Sequence, residues 1–260
     1  MAEKRKFTIS IIGCGVVGGA LLKWFKEHTS HDVRAFDIDP TKPYNDDVSD
    51  CDASFICVPV PTHSEGYQDT HALRDAIERA SGVKFIRSTV LPGTNDKYGT
   101  YSCPEFLTER TAYEDTCKMD MITGNPDHGL MARIFPGKVI NHMTNKECEL
   151  AKYAHNAFGA TKVNFFNIIH NICTHENASY EKVMEGVLLS GYINDTHTKV
   201  PGPDGKFGFG GTCFPKDLRA FYFKYPFMSF ASCMAENNNF RDRVMPDLSE
   251  LKPHHDTPKK

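Results

Sequence analysis

A short β-branched run, Phe7 to Ile12, breaks into Gly13-Cys14-Gly15-Val16-Val17-Gly18, and this break limits the fold more than any other feature of the chain. Glycines at the first, third and sixth positions remove the side chains that would hold strand, turn and helix apart. An amphipathic helix is expected next, because Val17, Leu21, Leu22 and Phe25 recur at helical spacing. Val33 to Phe36 reads as a second strand with Asp37 at its end. A lone G-x-G-x-x-G is weak evidence. Between a strand and a helix, with an acidic residue closing the following strand, it is good evidence for dinucleotide binding. The expected pyrophosphate contacts are Gly13, Gly15, Val16, Val17 and Gly18 at the helix N-terminus. Asp37 would accept hydrogen bonds from the adenosine ribose and repel a 2′-phosphate, which favours NAD over NADP.

Alternation of strand and helix continues beyond this point. A short polar link leads to a third strand, Ala53 to Val58, which leaves through the rigid turn Val58-Pro59-Val60-Pro61-Thr62. His71 to Ala80 is expected to be helical and Val83 to Arg87 a fourth strand. Ser88-Thr89 follows at the strand's C-terminal end, where open α/β sheets place ligands, so the Thr89 hydroxyl is a candidate contact for substrate or water. Further expected elements are a strand over Met119 to Thr123, a helix over Pro126 to Phe135 and a strand at Val139-Ile140. Helical patterns then run over Asn145 to Asn177, Tyr180 to Leu189, Leu218 to Lys224 and Phe227 to Val244. The fold class expected is α/β: a Rossmann-type, doubly wound parallel sheet in residues 1–143, then an all-helical domain in 144–245 with a long dimerisation helix. Residues 246–260 are polar and proline-rich and read as a disordered tail.

Chemistry concentrates in Gly208-Phe209-Gly210-Gly211-Thr212-Cys213-Phe214-Pro215-Lys216-Asp217. So many glycines suit neither a strand nor a helix, and their use is close approach by a ligand or another part of the chain. Pro215 and Asp217 suit the first turn of a helix. Cys213 is therefore expected at a helix N-terminus beside Lys216, surroundings that favour a nucleophilic thiolate. Taken alone, a cysteine is more often a buried structural residue. Two further pairs stand four residues apart. Glu105 and Glu109 would share one side of any helical turn and divide acid and base roles, although such a pair is more often a solvated face. Lys152 and Asn156 project together from the long helix, where a buried lysine needs a partner.

In these segments the chain resembles the UDP-glucose/GDP-mannose dehydrogenase family. The Gly208–Asp217 segment is similar to its active-site signature, Pro104-Glu105-Phe106-Leu107 to its Pro-Glu-Phe-Leu segment, and Lys152 and Asn156 to its paired Lys and Asn. Val58 and Pro59 resemble its proline-rich turn beside the cofactor. The resemblance implies a four-electron oxidation of a sugar C6 alcohol to a carboxylate, with two hydride transfers to NAD and Cys213 holding the sugar as thiohemiacetal and then thioester. It assigns Lys152 and Asn156 to the oxyanion, Asp217 and Glu105 to water, and Thr89 and Glu109 to their support. Lys216 and Thr89 become cofactor contacts, and Phe106, Leu107, Gly210 and Gly211 substrate contacts. UDP-glucose is the implied substrate and a homodimer the implied assembly. Departures from the family's pattern are expected to matter too. The chain stops about where a nucleotide-holding third domain would start, the link after Asp37 is short, and Tyr192-Ile193-Asn194 stands where an Arg-Ile-Gly is usual. A smaller sugar substrate, or a partner-dependent NAD-binding module, is therefore the alternative.

Composition removes other classes. With 260 residues, 40% hydrophobic and 24% charged, the chain can hold a sizeable core. A net charge of −3 without a basic stripe gives no expectation of nucleic acid, and no apolar run is long enough to predict a membrane span. The nine cysteines show no C-x-x-C pair, so no metal is expected, and their odd number fits a reducing cytoplasm.

Overall fold

The computed structural model describes residues 6–243. The tail expected at 246–260 lies outside the described residues, as does Val244 at the end of the last expected helix. The chain divides into two compact units, Met1–His155 and Asn156–Lys260.

In the first unit, β1 (Thr8–Ile12), β2 (Asp32–Phe36), β3 (Ala53–Ile56), β4 (Val83–Ile86) and β5 (Tyr101–Ser102) form one sheet in the order β2-β1-β3-β4-β5. Every pairing in it is parallel, from Ile9 against Val33 and Ala53 to Phe85 against Tyr101. Helices α1 (Val16–His28), α2 (His71–Arg79), α3 (Thr94–Tyr98), α4 (Ala112–Lys118) and α5 (His128–Ile134) follow in chain order. A second, two-stranded parallel sheet pairs β6 (Met121–Thr123) with β7 (Ile140–His142). Strands buried on both faces are near-continuously apolar, as in Ala53–Ile56, all of it buried. Phe55 and Phe85 stack at 4.9 Å, and Phe25 and Phe135 meet at 5.0 Å on the same side. These rings fill the layer between sheet and α1.

The order reverses between β1 and β3, because the chain first adds β2 on one side and then crosses to the other. That makes the carboxyl ends of β1 and β3 a topological switch point, where open α/β sheets bind ligands. The short link from Asp37 to Ala53 holds no helix. It folds back along β2, with Asp46 Oδ2 accepting from Ala35 N at 2.7 Å and Asp46 N donating to the Ala35 carbonyl at 3.0 Å. The link thereby satisfies backbone groups that an edge strand would leave open.

Sequence and structure differ at several points. The third and fourth strands end at Ile56 and Ile86, before the proline turn and Arg87. Helices α3 and α4 and strand β5 lie in stretches to which the sequence pattern assigns no element. They are short and polar on one side, so their periodicity is slight. The long helix α6 (Asn145–His175) begins where expected, and the division between the two compact units falls within it. Its first turns belong to the sheet unit because their polar side chains bond there. Asn145 Oδ1 accepts from Ser102 N at 2.8 Å. The Glu149 carboxylate, 2% exposed, accepts from Gly93 N, Asn95 N and Asn95 Nδ2 at 2.6–2.9 Å.

The second unit packs the rest of α6 with α7 (Tyr180–Leu188), α8 (Phe214–Lys224) and α9 (Met228–Asp242). Ala157, Ala160, Phe209, Leu218 and Cys233 form one core cluster and Phe166, Cys173, Tyr180 and Met184 another. Tyr180 donates to the Thr198 carbonyl, and burial pushes its phenol up to about 12. That bond holds the long segment between α7 and α8 against the helices.

Replacing Glu149 with alanine leaves three donors in the sheet unit without their acceptor. The variant is expected to lose about 3 kcal/mol of stability, read as a fall in the urea midpoint. A loss under about 1 kcal/mol would show that water replaces the carboxylate.

Candidate functional site

At the switch point the glycines do what the fingerprint requires. A Cβ on Gly18 would fall 1.9 Å from the Gly13 carbonyl oxygen, so only glycine lets α1 start this close to β1. Gly13 has φ +90 and its missing Cβ would lie 2.9 Å from the Cys57 carbonyl, which brings the turn against the end of β3. Gly15, the N-cap of α1, has nothing within 4 Å of its Cβ position, and Val16 beside it is exposed, so the helix N-terminus is open to a ligand. Val17 is half-buried in the first turn. Asp37 is fixed by its neighbours: Oδ2 accepts from Cys14 N at 2.7 Å and from Lys42 Nζ at 2.8 Å, and Oδ1 from Asp39 N at 3.0 Å. Burial opposes ionisation of this carboxyl, but the Lys42 ammonium and the two amides outweigh it and hold it below the usual carboxylate range. An ionised acceptor at the end of β2 and an open helix start at the end of β1 suit a dinucleotide's ribose and pyrophosphate.

The next residues of the expected site also lie in the first unit. Val58 accepts from Ser88 Oγ at 2.5 Å, which ties the proline turn to the turn after β4, and Pro59 is exposed. Thr89 is half-buried, and its carbonyl accepts from Gln68 Nε2 at 3.1 Å. The same amide nitrogen donates to Tyr153 Oη at 3.0 Å, and Gln68 Oε1 accepts from Leu91 N. Lys152 is 4% exposed and forms an ion pair with Glu105 at 3.0 Å. The second Glu105 oxygen accepts from Leu107 N at 2.5 Å, and the Phe106 ring lies 5.6 Å from the ammonium. Glu105 and Glu109 do not share a helical turn. Residues 103–108 form neither helix nor strand, Glu109 opens a separate 3₁₀ turn, Glu109–Thr111, and its side chain is exposed.

In the second unit Cys213 is the N-cap of α8 and is exposed, with Pro215 in the first turn. Lys216 donates to Asp217, whose carboxylate is 1% exposed and accepts from Asn156 Nδ2 at 2.6 Å. Lys216 is thus committed to Asp217, one position along the helix. The glycines ahead of the cysteine mostly admit the chain itself. A Cβ on Gly208 would meet Asn237 Oδ1 at 2.5 Å, and one on Gly210 would meet the Arg241 guanidinium at 2.6 Å. Gly211, with φ +74, faces open space. Phe214 is seated over Gly159, where an alanine methyl would lie 2.6 Å from its ring. Among the described residues no group of three or more His, Cys, Asp or Glu side chains is placed to hold a metal, and no helix is long and apolar enough to cross a membrane.

A parallel sheet with a glycine-pinched first turn, followed in the chain by a helical unit with an exposed cysteine at a helix start, defines an α/β dinucleotide-binding protein of the dehydrogenase type. Comparison with known proteins narrows the class. Residues 41–135 match the NAD binding domain of the UDP-glucose/GDP-mannose dehydrogenase family, and residues 146–237 match its central domain. The chain belongs to this family, and the cofactor of the matched domain is NAD. UDP-glucose 6-dehydrogenase TuaD of Bacillus subtilis is 33% identical over 230 residues, 76% of this chain and 48% of that protein. A second B. subtilis protein, UDP-glucose 6-dehydrogenase YwqF, is 32% identical over 227 residues, 75% of this chain and 50% of that one. The chain spans about half the length of these curated relatives. Among solved structures, a UDP-glucose dehydrogenase from Pyrobaculum islandicum shares the fold with a TM-score of 0.80 at 23% identity, over 94% of this chain and 70% of that one. A GDP-mannose dehydrogenase from Pseudomonas aeruginosa gives 0.63 at 25% identity, over 89% and 68%.

Gln68, Tyr153, Glu149, Asn237 and Arg241 position the site's loops and were not singled out from sequence. The cysteines themselves separate by environment. Burial pushes Cys57 and Cys148 up to about 12, and burial together with the Asp37 charge pushes Cys14 up to about 11. These three stay protonated near neutral pH, whereas Cys213 is exposed at a helix N-terminus. Iodoacetamide at neutral pH is therefore expected to label Cys213 in the native protein while sparing Cys14, Cys57 and Cys148, as read by peptide mass spectrometry. Equal labelling of Cys57 and Cys213 would contradict this.

Proposed function

We propose that the chain takes part in the NAD-dependent, four-electron oxidation of the C6 alcohol of a nucleotide sugar, UDP-glucose to UDP-glucuronate, with Cys213 as the covalent nucleophile. The observation that carries the reading is Cys213 exposed at the N-cap of α8, four residues ahead of the buried, Asn156-bound carboxylate of Asp217. Two NAD molecules, bound in turn, would each accept one of the two hydrides that such an oxidation releases. Cys213 adds as thiolate to the C6 aldehyde, giving a thiohemiacetal whose oxidation leaves a thioester. Water attacks the thioester carbon, the C–S bond breaks, and the sugar leaves as carboxylate with the thiol restored. Lys152 and Asn156 supply a cation and an amide for negative charge on the reacting oxygen, in first alkoxide and later tetrahedral form. Glu105 and Asp217 handle the protons of alcohol and water, with Thr89 and Glu109 in support. In this reading Lys216 and Thr89 are assigned to the cofactor, and Phe106, Leu107, Gly210 and Gly211 to the sugar.

The same reading makes the protein a cytoplasmic homodimer. On the second-unit part of α6, Phe158, Phe165, Ile168 and Ile172 are 69%, 50%, 38% and 42% exposed. Their spacing puts them along one stripe, and a row of large apolar side chains of this kind marks a contact surface. A related dehydrogenase acting on a smaller sugar or sugar phosphate is the second reading.

Counting NADH against sugar consumed separates the readings. With UDP-glucose, two NADH per sugar are expected, and Cys213→Ser is expected to abolish the second oxidation. One NADH per sugar, unchanged in Cys213→Ser, would replace the thioester route with simple alcohol oxidation. Lys152→Ala is expected to lower kcat by about 10²- to 10³-fold while NAD still binds, as measured by calorimetry. An unchanged kcat would remove Lys152 from the chemistry.

A further inference from the structure

Gly159 lies near the middle of α6, where a glycine costs helix stability relative to alanine. It is buried, and one aromatic ring takes the space that its missing side chain leaves. Phe214 enters this notch end-on. From the position of a Cβ on Gly159, the ring's Cζ would lie at 2.6 Å and its two Cε atoms at 3.1 and 3.3 Å. The ring and any larger residue at 159 therefore exclude each other. The same ring meets Phe209 edge-on at 6.3 Å and His197 edge-on at 5.2 Å, so withdrawing it from the notch disturbs both contacts.

This seat bears on Cys213 because little on the N-terminal side of the cysteine is anchored. Gly211 and Thr212 are exposed, and a Cβ at Gly211 would have nothing within 4 Å. Cys213 makes no side-chain cap bond to α8, and the grip of Asn237 and Arg241 falls further back, on Phe209 and Gly210. The Cys213 carbonyl accepts from Asp217 N at 2.9 Å, so the residue moves with the start of the helix. Phe214, the first residue of α8, is the packed side chain next to it in the chain.

We propose that Gly159 is a positioning residue for the nucleophile: its notch seats the Phe214 ring and so sets where α8 begins and where Cys213 stands. The proposal rests on the reading of Cys213 as the nucleophile. Gly159 has no side chain to offer the reaction and acts only through the ring. A glycine in mid-helix, weak in helix propensity, is thereby explained by the group it admits.

Wild type, Gly159→Ala, Phe214→Leu and the double variant test the seat. Leucine lacks the Cζ and Cε atoms that fill the notch, and the alanine methyl fills it in their place. In each single variant kcat with NAD and UDP-glucose is expected to fall about tenfold while KM and NAD affinity stay within about twofold, because misplacing a reacting group costs rate more than binding. Alkylation of Cys213 by iodoacetamide is expected to slow about two- to fivefold as the thiol leaves the helix N-terminus. The double variant is expected to recover both. Single variants at wild-type values, or losses that the double variant does not recover, overturn the proposal. Alkylation needs no turnover: a wild type that leaves UDP-glucose unoxidised counts against the proposed function, and the alkylation rates then decide the notch by themselves. Should Gly159→Ala fail to fold, Phe214→Leu is set against the double variant, recovery supporting the seat and its absence overturning it.

Discussion

A lysine ammonium withdrawn from water needs an acceptor close by, and Lys152 finds it in Glu105 at 3.0 Å. Breaking such a pair from one side leaves a bare buried charge, so helix α6 and the loop after β5 are held to one arrangement. The neighbouring turns of α6 repeat the device with neutral and charged groups. Asn145 and Glu149 bond to the backbone of β5 and of the turn into α3. In the second unit, Asn156 holds Asp217, Asn164 donates to the Cys233 carbonyl at 2.7 Å, and Asn167 accepts from Gly208 N at 2.9 Å. The loops of each unit are thus located by polar side chains that α6 buries, and its apolar residues supply the packing around them.

Much of this architecture was legible in sequence, for a local reason. The turn Gly13–Gly18 and the strands flanking it are encoded by residues next to one another, and the structure shows the 1.9 Å approach that makes Gly18 obligatory. The long helix was equally plain, since 31 residues of period near 3.6 admit few alternatives. What escaped depends on contacts distant in the chain. Helices α3 and α4 are too short to show a period, and β5 has two residues. Glu105 and Glu109 looked like a matched pair because spacing alone does not reveal that residues 103–108 form no helix. Glu149 lies 56 residues from Gly93, and nothing local distinguishes it from a solvated helix glutamate.

The two units use their polar groups differently. Around the glycine turn the backbone is presented outward, with Gly15 bare and Asp37 ionised, as an anionic cofactor requires. Around Cys213 the backbone is gripped from behind. Asn237 accepts from Phe209 N at 2.7 Å and donates to Phe209 O at 3.1 Å, and Arg241 bonds Asp204 at 2.7 Å while lying across Gly210. Cys213 is consequently exposed on a loop that is itself fixed, which suits a nucleophile that must be reachable without wandering.

This grip has a consequence for anyone who would transplant the cysteine segment. The ten residues from Gly208 to Asp217 form a recognisable string, but the string does not contain its own geometry. The left-handed turn at Gly208 is clasped by Asn167 and Asn237, the next turn by Arg241, and Phe214 needs the notch left by Gly159. Moved into another scaffold without those four positions, the decapeptide would keep its letters and lose its shape. The transferable unit is a loop together with the two helices that clasp it.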